Sequence, residues 1–111
     1  MWSPLPRSEL DAQIRESEDI LLPAELAFWE QLRIDPVKWQ LHPWADASGG
    51  FWAVGIIGQQ VIYYDDIEGD FGLSRYSTHG VIDEYSCVGE LHYVVRSLFE
   101  KCYGSSAHKG A

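Results

Sequence analysis

The stretch Gly49–Phe71 contains the longest apolar run of the chain, interrupted only at residues 58–60. Two residues between two β-rich runs, with Gly58 first, are typical of a type II′ hairpin turn, because the first position of that turn needs a positive φ. The turn predicts a register in which Val54 opposes Tyr63. We therefore expect the fold to be organised around a central antiparallel hairpin.

This register predicts two unlike faces for the hairpin, because side chains alternate along a strand. One face carries Trp52, Val54, Ile56, Val61 and Tyr63. The other carries Phe51, Ala53, Gly55, Ile57, Ile62 and Tyr64. The second face has small residues at its centre, where a helix can pack. Both faces are apolar. We therefore expect either that other elements of the chain pack on both faces, or that they pack on one face and a partner contacts the other.

Two helices are predicted before the hairpin. Ser8 is placed to cap the first helix, which the acidic residues 16–19 would end in a solvated bend. Pro23 is tolerated in the first turn of the second helix, which must end before Pro36 because a residue preceding proline is biased away from helical geometry. Glu25 is expected to face away from the apolar stripe of this helix.

A third helix is predicted near the C-terminus, from apolar residues that recur with a period of 3.6. These residues are Val88, Leu91, Val95, Leu98 and Cys102, and Ser86 is expected to cap them. Short strands are predicted at Val37–Leu41, Leu73–Tyr76 and Val81–Tyr85. The elements together predict an α+β fold, in which an antiparallel meander of four to five strands packs against N-terminal helices and a C-terminal helix.

Length and composition are typical of one globular domain. The 111 residues predict a single domain at 1–111, with flexible ends at 1–7 and 104–111. A hydrophobic content of 46% and five Trp exclude a disordered chain. No apolar run reaches the ~18 residues that cross a membrane, and the N-terminus lacks the apolar core of a signal peptide.

Cys87 and Cys102 lie at the two ends of the predicted C-terminal helix. A helix of that length would hold them roughly 22 Å apart, which is beyond the reach of a disulfide. They are therefore expected to be reduced thiols of a cytoplasmic protein.

The charge of the chain is strongly acidic, with 17 Asp and Glu against eight Lys and Arg and a net charge of −9. A nucleic-acid backbone requires a basic patch, so nucleic acid is not an expected partner. The charge favours a soluble protein whose partner, where it has one, is basic.

The predicted partner-binding site combines an acidic loop with nearby aromatic side chains. Its residues are Asp65, Asp66, Glu68, Asp70, Tyr63 and Trp52. The carboxylates would attract a basic protein, and Trp and Tyr are enriched at interface hot spots. Carboxylate oxygens also suit Ca²⁺, but the spacing around Gly69 does not match an EF-hand, so no metal or cofactor site is predicted. The alternative is a solvated loop without a partner.

Catalytic roles are considered for two pairs of residues. Glu68 and Glu84 could act as the carboxylates of a glycosidase, and Cys87 with His79 could form a nucleophile and its base, since a helix N-terminus would lower the pKa of the thiol. The four histidines lack the spacing of a zinc site. There is no Gly-x-Ser-x-Gly elbow and no Gly-rich phosphate loop. A small hydrolase is therefore the least favoured function.

A small-molecule or peptide binder is the alternative to a protein-binding domain. Trp39, Trp52 and Tyr64 would line its pocket, between the sheet and the helices. The same aromatic residues could instead fill the core, which is the commoner role of large apolar side chains.

Residues Leu22–Trp29 resemble the Leu-Pro-x-x-Tyr/Leu-x-x-Phe helix of the SUKH superfamily, which contains yeast cell-wall-assembly regulators and bacterial immunity proteins. Gly49–Trp52 followed by Val61–Tyr64 resembles the meander of that superfamily, and Cys87–Leu98 would be its closing helix. The resemblance implies a non-enzymatic protein that neutralises a toxin, and basic nuclease toxins would suit the charge. The Ser-Phe pair before the last helix is missing here. Another small bacterial family with a similar order of elements is therefore the alternative.

Overall fold

The computed structural model describes residues 3–104. Within this range, three α-helices lie on one face of a five-stranded antiparallel sheet whose strands follow chain order from β1 to β5. The elements are α1 (Arg7–Ile20), α2 (Pro23–Leu32), β1 (Arg33–Trp39), β2 (Phe51–Ile57), β3 (Gln60–Asp65), β4 (Asp70–Arg75), β5 (Cys87–Gly89) and α3 (Leu91–Phe99). The predicted α+β class, the meander and the helices before and after it are confirmed.

The chain ends fall only partly within the described range. Residues 1–2 and 105–111, where flexible ends are predicted, lie outside it. Leu5 is half-buried against the core, and its carbonyl oxygen accepts a hydrogen bond from Trp52 Nε1 at 3.1 Å. In the described part of the chain, no helix is long and apolar enough to cross a membrane.

The central hairpin forms around the predicted turn. Gly58 has a φ of 57°, and residues 56–57 pair with residues 60–61 as expected. Further along β2 the register shifts, because a β-bulge pairs Tyr63 with Ala53. The predicted pairing of Tyr63 with Val54 is therefore wrong.

The bulge reassigns the faces of β2. Trp52 and Val54 lie on the helix side, whereas Ala53 lies on the opposite face, contrary to the prediction. Gly55 does provide the predicted notch, because a Cβ there would be 2.8 Å from the Trp29 ring. The indole of α2 thus occupies space that only glycine leaves open.

Helix α1 is longer than predicted. It begins at Arg7 rather than after a Ser8 cap, and it continues through the acidic residues 16–19. Leu10, Ile14 and Ser17 are buried along one side, so the inward stripe extends past the predicted bend. The Ser8 cap and the bend are both wrong.

Glu25 of α2 points into the structure, contrary to the prediction. Its carboxylate accepts hydrogen bonds from the Leu22 amide at 2.8 Å and from Arg96 Nε at 3.1 Å. The first bond caps α2, and the second joins α2 to α3. A buried carboxylate is tolerated here because both partners compensate its loss of water.

Helix α3 starts later than predicted and is capped by another helix. Cys87–Gly89 pairs with β4 as strand β5, so Ser86 is not a helix cap. The Ser17 hydroxyl of α1 instead accepts a hydrogen bond from the His92 amide at 3.2 Å. This contact satisfies one of the amides that a helix N-terminus leaves free.

Two of the predicted short strands also differ. Leu73–Tyr76 was expected at a sheet edge, but β4 lies inside the sheet between β3 and β5. Val81–Tyr85 forms no strand, and only Val81 makes an isolated bridge, to Gln40. The predicted strand Val37–Leu41 overlaps β1 but ends at Trp39.

The sheet face opposite the helices is covered by irregular chain, and we call its part between β4 and β5, residues 76–86, the cover segment. The buried residues on this side of the sheet are Trp39, Leu41, Ala45, Phe51, Ala53, Val61, Tyr63 and Ile82. Tyr63 fixes the cover, because its hydroxyl donates to the Ser86 carbonyl at 2.8 Å and accepts from the Ser86 amide at 2.7 Å. A Cβ at Gly72 would overlap the same carbonyl oxygen. Glycine therefore lets the segment before β5 lie directly on the sheet.

Candidate functional site

The predicted acidic loop is a short turn between two strands. Asp65 ends β3 and pairs across the ladder with Asp70, which begins β4. Asp65 is 0% exposed and Asp66 is 7% exposed, whereas Glu68 is exposed and Asp70 is half-buried. The four acidic residues therefore do not form one exposed patch.

Asp65 organises the backbone of this turn. Its Oδ1 accepts hydrogen bonds from the Ile67 amide at 2.8 Å and from the Glu68 amide at 3.3 Å, which is the geometry of an Asx turn. Its carboxylate also lies near the Tyr85 hydroxyl. Burial first, and then the neighbouring Asp65 carboxylate, raise the pKa of Tyr85. Asp65 thus holds the backbone of the turn and lies next to a residue of the cover segment.

Asp66 lies on the inner side of the same turn. Burial raises its pKa above the ordinary 3.8, and the positive charge of Lys38 opposes that shift. Lys38 Nζ in turn donates to the Ser48 carbonyl at 2.9 Å and lies 4.6 Å from the centre of the Trp52 ring. Asp66 therefore belongs to the buried region that joins the turn to β1, with half-buried Lys38 near it, rather than to a free surface.

The two aromatic residues of the predicted site are not neighbours on one surface. Tyr63 is fully buried on the face opposite the helices, where it binds Ser86. Trp52 is half-buried on the helix side. Of the six predicted residues, only Glu68 and Asp70 place charge at the surface of the turn.

An exposed aromatic residue outside the six predicted site residues lies beside this turn. Trp44 is 50% exposed and stacks on Tyr85 with ring centres 4.8 Å apart and planes at 20°. Tyr85 lies near Asp65, and Asp65 accepts hydrogen bonds from the amides of Ile67, which is 47% exposed, and Glu68. We call the surface formed by Trp44, Tyr85, Ile67 and Glu68 the Trp44 face.

One sequence signal could have identified Trp44. It follows Pro43 in a polar loop without strand or helix periodicity, where a core position is not expected. Ile67 is similarly an apolar residue among turn-forming Asp and Gly. Their exposure follows from this local context.

The Trp44 face is acidic at its margins. Asp46 is two residues from Trp44 and accepts a hydrogen bond from His42 Nδ1 at 2.6 Å when that nitrogen carries a proton. Glu84 directly precedes Tyr85 and is exposed. Glu68 is close enough for its charge to act on Tyr85, so acidic residues of three segments lie at or near the residues of this face in sequence.

The predicted pocket between sheet and helices is not formed by its three residues. Trp39 belongs to the core opposite the helices, whereas Tyr64 and Trp52 pack on the helix side. An apolar groove of about 440 Å³ lies elsewhere, between α2 and the end of α3. Its lining residues are Ala24, Ala27, Phe28, Gln31, Phe99 and Tyr103.

The residues considered for catalysis are not arranged for it. Cys87 lies in β5 and is exposed as a residue, but the partial loss of solvent around its sulfur, together with nearby Asp65, raises the pKa of its thiol to about 11, opposite to the expected lowering. His79 packs its ring against Trp39 and Tyr76. In residues 3–104, no three His, Cys, Asp or Glu side chains converge as metal ligands.

Comparisons with known proteins do not connect this site to a family. No protein-family model, no curated protein and no solved structure matches the chain. The resemblance to the SUKH superfamily therefore stays a prediction from short motifs. The geometry of the Trp44 face is the remaining basis for a function.

Proposed function

We propose that this chain is a non-enzymatic protein-binding domain that holds a basic partner on the Trp44 face. The observation that carries the proposal is the half-exposed Trp44 stacked on Tyr85 beside an exposed turn. Trp and Tyr supply much of the binding energy at protein interfaces. Trp44 stacks on a neighbouring ring and stays half exposed, so its indole is available to contact a partner.

The face is held in place before any partner arrives. Asp65 fixes the turn backbone at Ile67 and Glu68 and lies near Tyr85. A surface already ordered loses less conformational entropy on binding. The buried Asp65 carboxylate thus orders the residues of the site and does not itself contact the partner.

Charge selects the kind of partner. The chain carries a net charge of −9, Asp46 and Glu84 are exposed residues close in sequence to Trp44 and Tyr85, and the Glu68 charge acts on Tyr85. Complementary charge speeds encounter and disfavours acidic partners. Neutralisation of a basic toxin, as the SUKH resemblance implies, is the specific form of this proposal.

The same proposal places the protein in the cytoplasm. Cys87 and Cys102 are both exposed and unpaired. Exposed free thiols are typical of a reducing compartment.

A matched pair of charge reversals tests the site. Glu68→Lys and Glu30→Lys change the net charge equally, but only Glu68 lies on the Trp44 face, and Glu30 is exposed on α2. Tagged variants would be used to capture partners from cells of the source, with captured proteins quantified by mass spectrometry. A specific basic partner should be lost with Glu68→Lys and retained with Glu30→Lys.

Equal loss with both variants would show that only net charge matters and would contradict the proposed site. Retention by both would exclude the turn from the interface. Lysine at Asp65 or Asp66 is unsuitable, because both carboxylates are buried and a cation there would disrupt folding.

The apolar groove between α2 and α3 favours a second candidate function, the binding of a small apolar molecule or peptide. Its volume of about 440 Å³ lies within the ~300–1,000 Å³ of small-molecule sites. Tyr103→Ala would remove one wall of the groove. Loss of ligand binding with this variant and not with Glu68→Lys would favour the second function.

A further inference from the structure

Three of the eight cationic residues of this acidic chain surround one cleft. Arg7, Arg15 and Arg33 line a polar cavity of about 360 Å³ between α1 and the start of β1. The other lining residues are Asp11, Ile14 and Glu18. The cleft is separate from the Trp44 face and shares no residue with it.

Acidic neighbours orient two of the arginines. Arg7 Nε donates to Asp11 at 3.1 Å and its Nη2 donates to Asp35 at 2.8 Å. Arg33 Nη1 donates to Glu18 at 2.6 Å. A guanidinium has five N–H donors, so these bonds fix each group and leave other donors available.

Glu18 is itself held by the core. Its Oε2 also accepts a hydrogen bond from Trp29 Nε1 at 2.8 Å, and the Trp29 side chain is fully buried. The position of Arg33 is therefore coupled to the packing of α2 on the sheet. A guanidinium fixed in this way loses less entropy when it binds a ligand.

Arg15 contributes a guanidinium group that makes no direct ion pair, although Asp11 and Asp19 lie four residues from it on α1. Residues 7, 11 and 15 follow one another at intervals of four along one side of α1. Arg15 is exposed and makes no hydrogen bond or ion pair within residues 3–104. Buried Ile14 adds an apolar surface beside it.

We propose that this cleft binds a small molecule that carries phosphate groups. Arginine forks match the geometry of phosphate oxygens, and oriented guanidinium groups are the usual way in which proteins hold them. The cavity is large enough for a small molecule rather than a single ion. The net charge of −9 repels an extended nucleic acid, so a compact ligand is favoured.

Calorimetric titration with inorganic pyrophosphate tests this proposal, in a buffer of low ionic strength without phosphate. The wild type should bind saturably, and Arg15→Gln should weaken binding about tenfold or more. Arg75→Gln is the matched control, because Arg75 is an exposed arginine at the end of β4 and should leave binding unchanged. Amide chemical-shift changes should centre on α1 and Arg33.

Three results would overturn the proposal. One is the absence of saturable binding by the wild type, and another is equal weakening by Arg15→Gln and Arg75→Gln. Citrate binding as tightly as pyrophosphate would overturn the assignment to phosphate. None of these outcomes affects the proposed role of the Trp44 face, because Arg15→Gln leaves that face intact.

Discussion

Removing one hydroxyl group, in Tyr63→Phe, tests how the cover segment is attached to the sheet. Tyr63 is fully buried, and its hydroxyl donates to the Ser86 carbonyl at 2.8 Å and accepts from the Ser86 amide at 2.7 Å. The ring itself stacks on Phe51 with centres 5.8 Å apart, and phenylalanine keeps that contact. The variant therefore deletes hydrogen bonds without opening a large cavity.

The expected loss follows from the two hydrogen bonds. Each contributes about 0.5–1.5 kcal/mol to stability, so the free energy of unfolding should fall by about 2 kcal/mol. With a urea dependence of about 1–3 kcal/mol per molar, the unfolding midpoint should fall by about 1 M. Tryptophan fluorescence during urea titration measures this shift.

Tyr76→Phe is the control for this change. The Tyr76 hydroxyl donates one exposed hydrogen bond to the Gly58 carbonyl at 3.0 Å, so its loss should cost less than about 1 kcal/mol. A Tyr63→Phe midpoint no lower than that of Tyr76→Phe would refute the anchoring role of Tyr63.

The same anchor predicts a response to alkaline pH. Burial is the main cause that raises the pKa of Tyr63 from 10.0 to about 12. A raised folded-state pKa means that its contribution to stability is complete below pH 10 and is lost as the pH rises to about 12. The stability advantage of the wild type over Tyr63→Phe should therefore shrink across that window, and a constant difference would contradict the assigned burial.

Three further predictions concern other buried or crowded groups. Gly72→Ala should lower the free energy of unfolding by about 3 kcal/mol in a urea titration, because the new Cβ would overlap the Ser86 carbonyl and lie 2.7 Å from the Tyr63 ring; an unchanged midpoint would contradict the close approach. Burial raises the pKa of Asp66, so the folded chain binds its proton more tightly and stability falls as the pH rises above 3.8. Asp66→Asn should remove this penalty, so its gain in free energy of unfolding over the wild type should be largest at neutral pH. A gain that instead grew toward acid pH would contradict the raised pKa of Asp66. Cys87, with its thiol pKa raised to about 11, should react with iodoacetamide at neutral pH more slowly than Cys102, as followed by mass spectrometry; faster reaction of Cys87 would refute the raised pKa.

The hairpin shows which parts of the fold the sequence could predict. Gly58 is a local signal, and the turn forms where the sequence places it. The bulge at residues 53–55 has no comparable signal. Both faces of β2 are apolar, so a shift in register would bury no polar residue and the sequence does not favour one register over the other. The predicted faces of β2 are therefore right from Gly55 to Ile57 and wrong from Phe51 to Val54.

The start of α3 was missed for a different reason. Val88 continues the apolar stripe of the predicted helix, which has a period of 3.6 residues. In the structure its side chain is exposed and is not part of the core on the helix side. Gly89 has a φ of 156°, which is outside helical geometry and separates β5 from α3. A glycine between the strand and the helix was the available signal.

The acidic site depended on contacts that are distant in sequence. Asp65 and Asp66 look like solvated loop residues, yet Tyr85 and Lys38 meet them from other segments and allow their burial. The exposed residues of the Trp44 face likewise come from two loops and the turn. Their proximity follows from the meander and its cover segment, not from any local motif.

The central claim is that Trp44 anchors a protein partner, and the affinity of Trp44→Ala for the purified partner tests it most directly. Tyr93→Ala is the control, because Tyr93 is 56% exposed on α3, close to the 50% of Trp44, but lies outside the Trp44 face. Titration calorimetry should show at least about a tenfold loss of affinity for Trp44→Ala, as for an interface hot spot, and little change for Tyr93→Ala. Undiminished binding by Trp44→Ala, or a larger loss with Tyr93→Ala, would contradict the account.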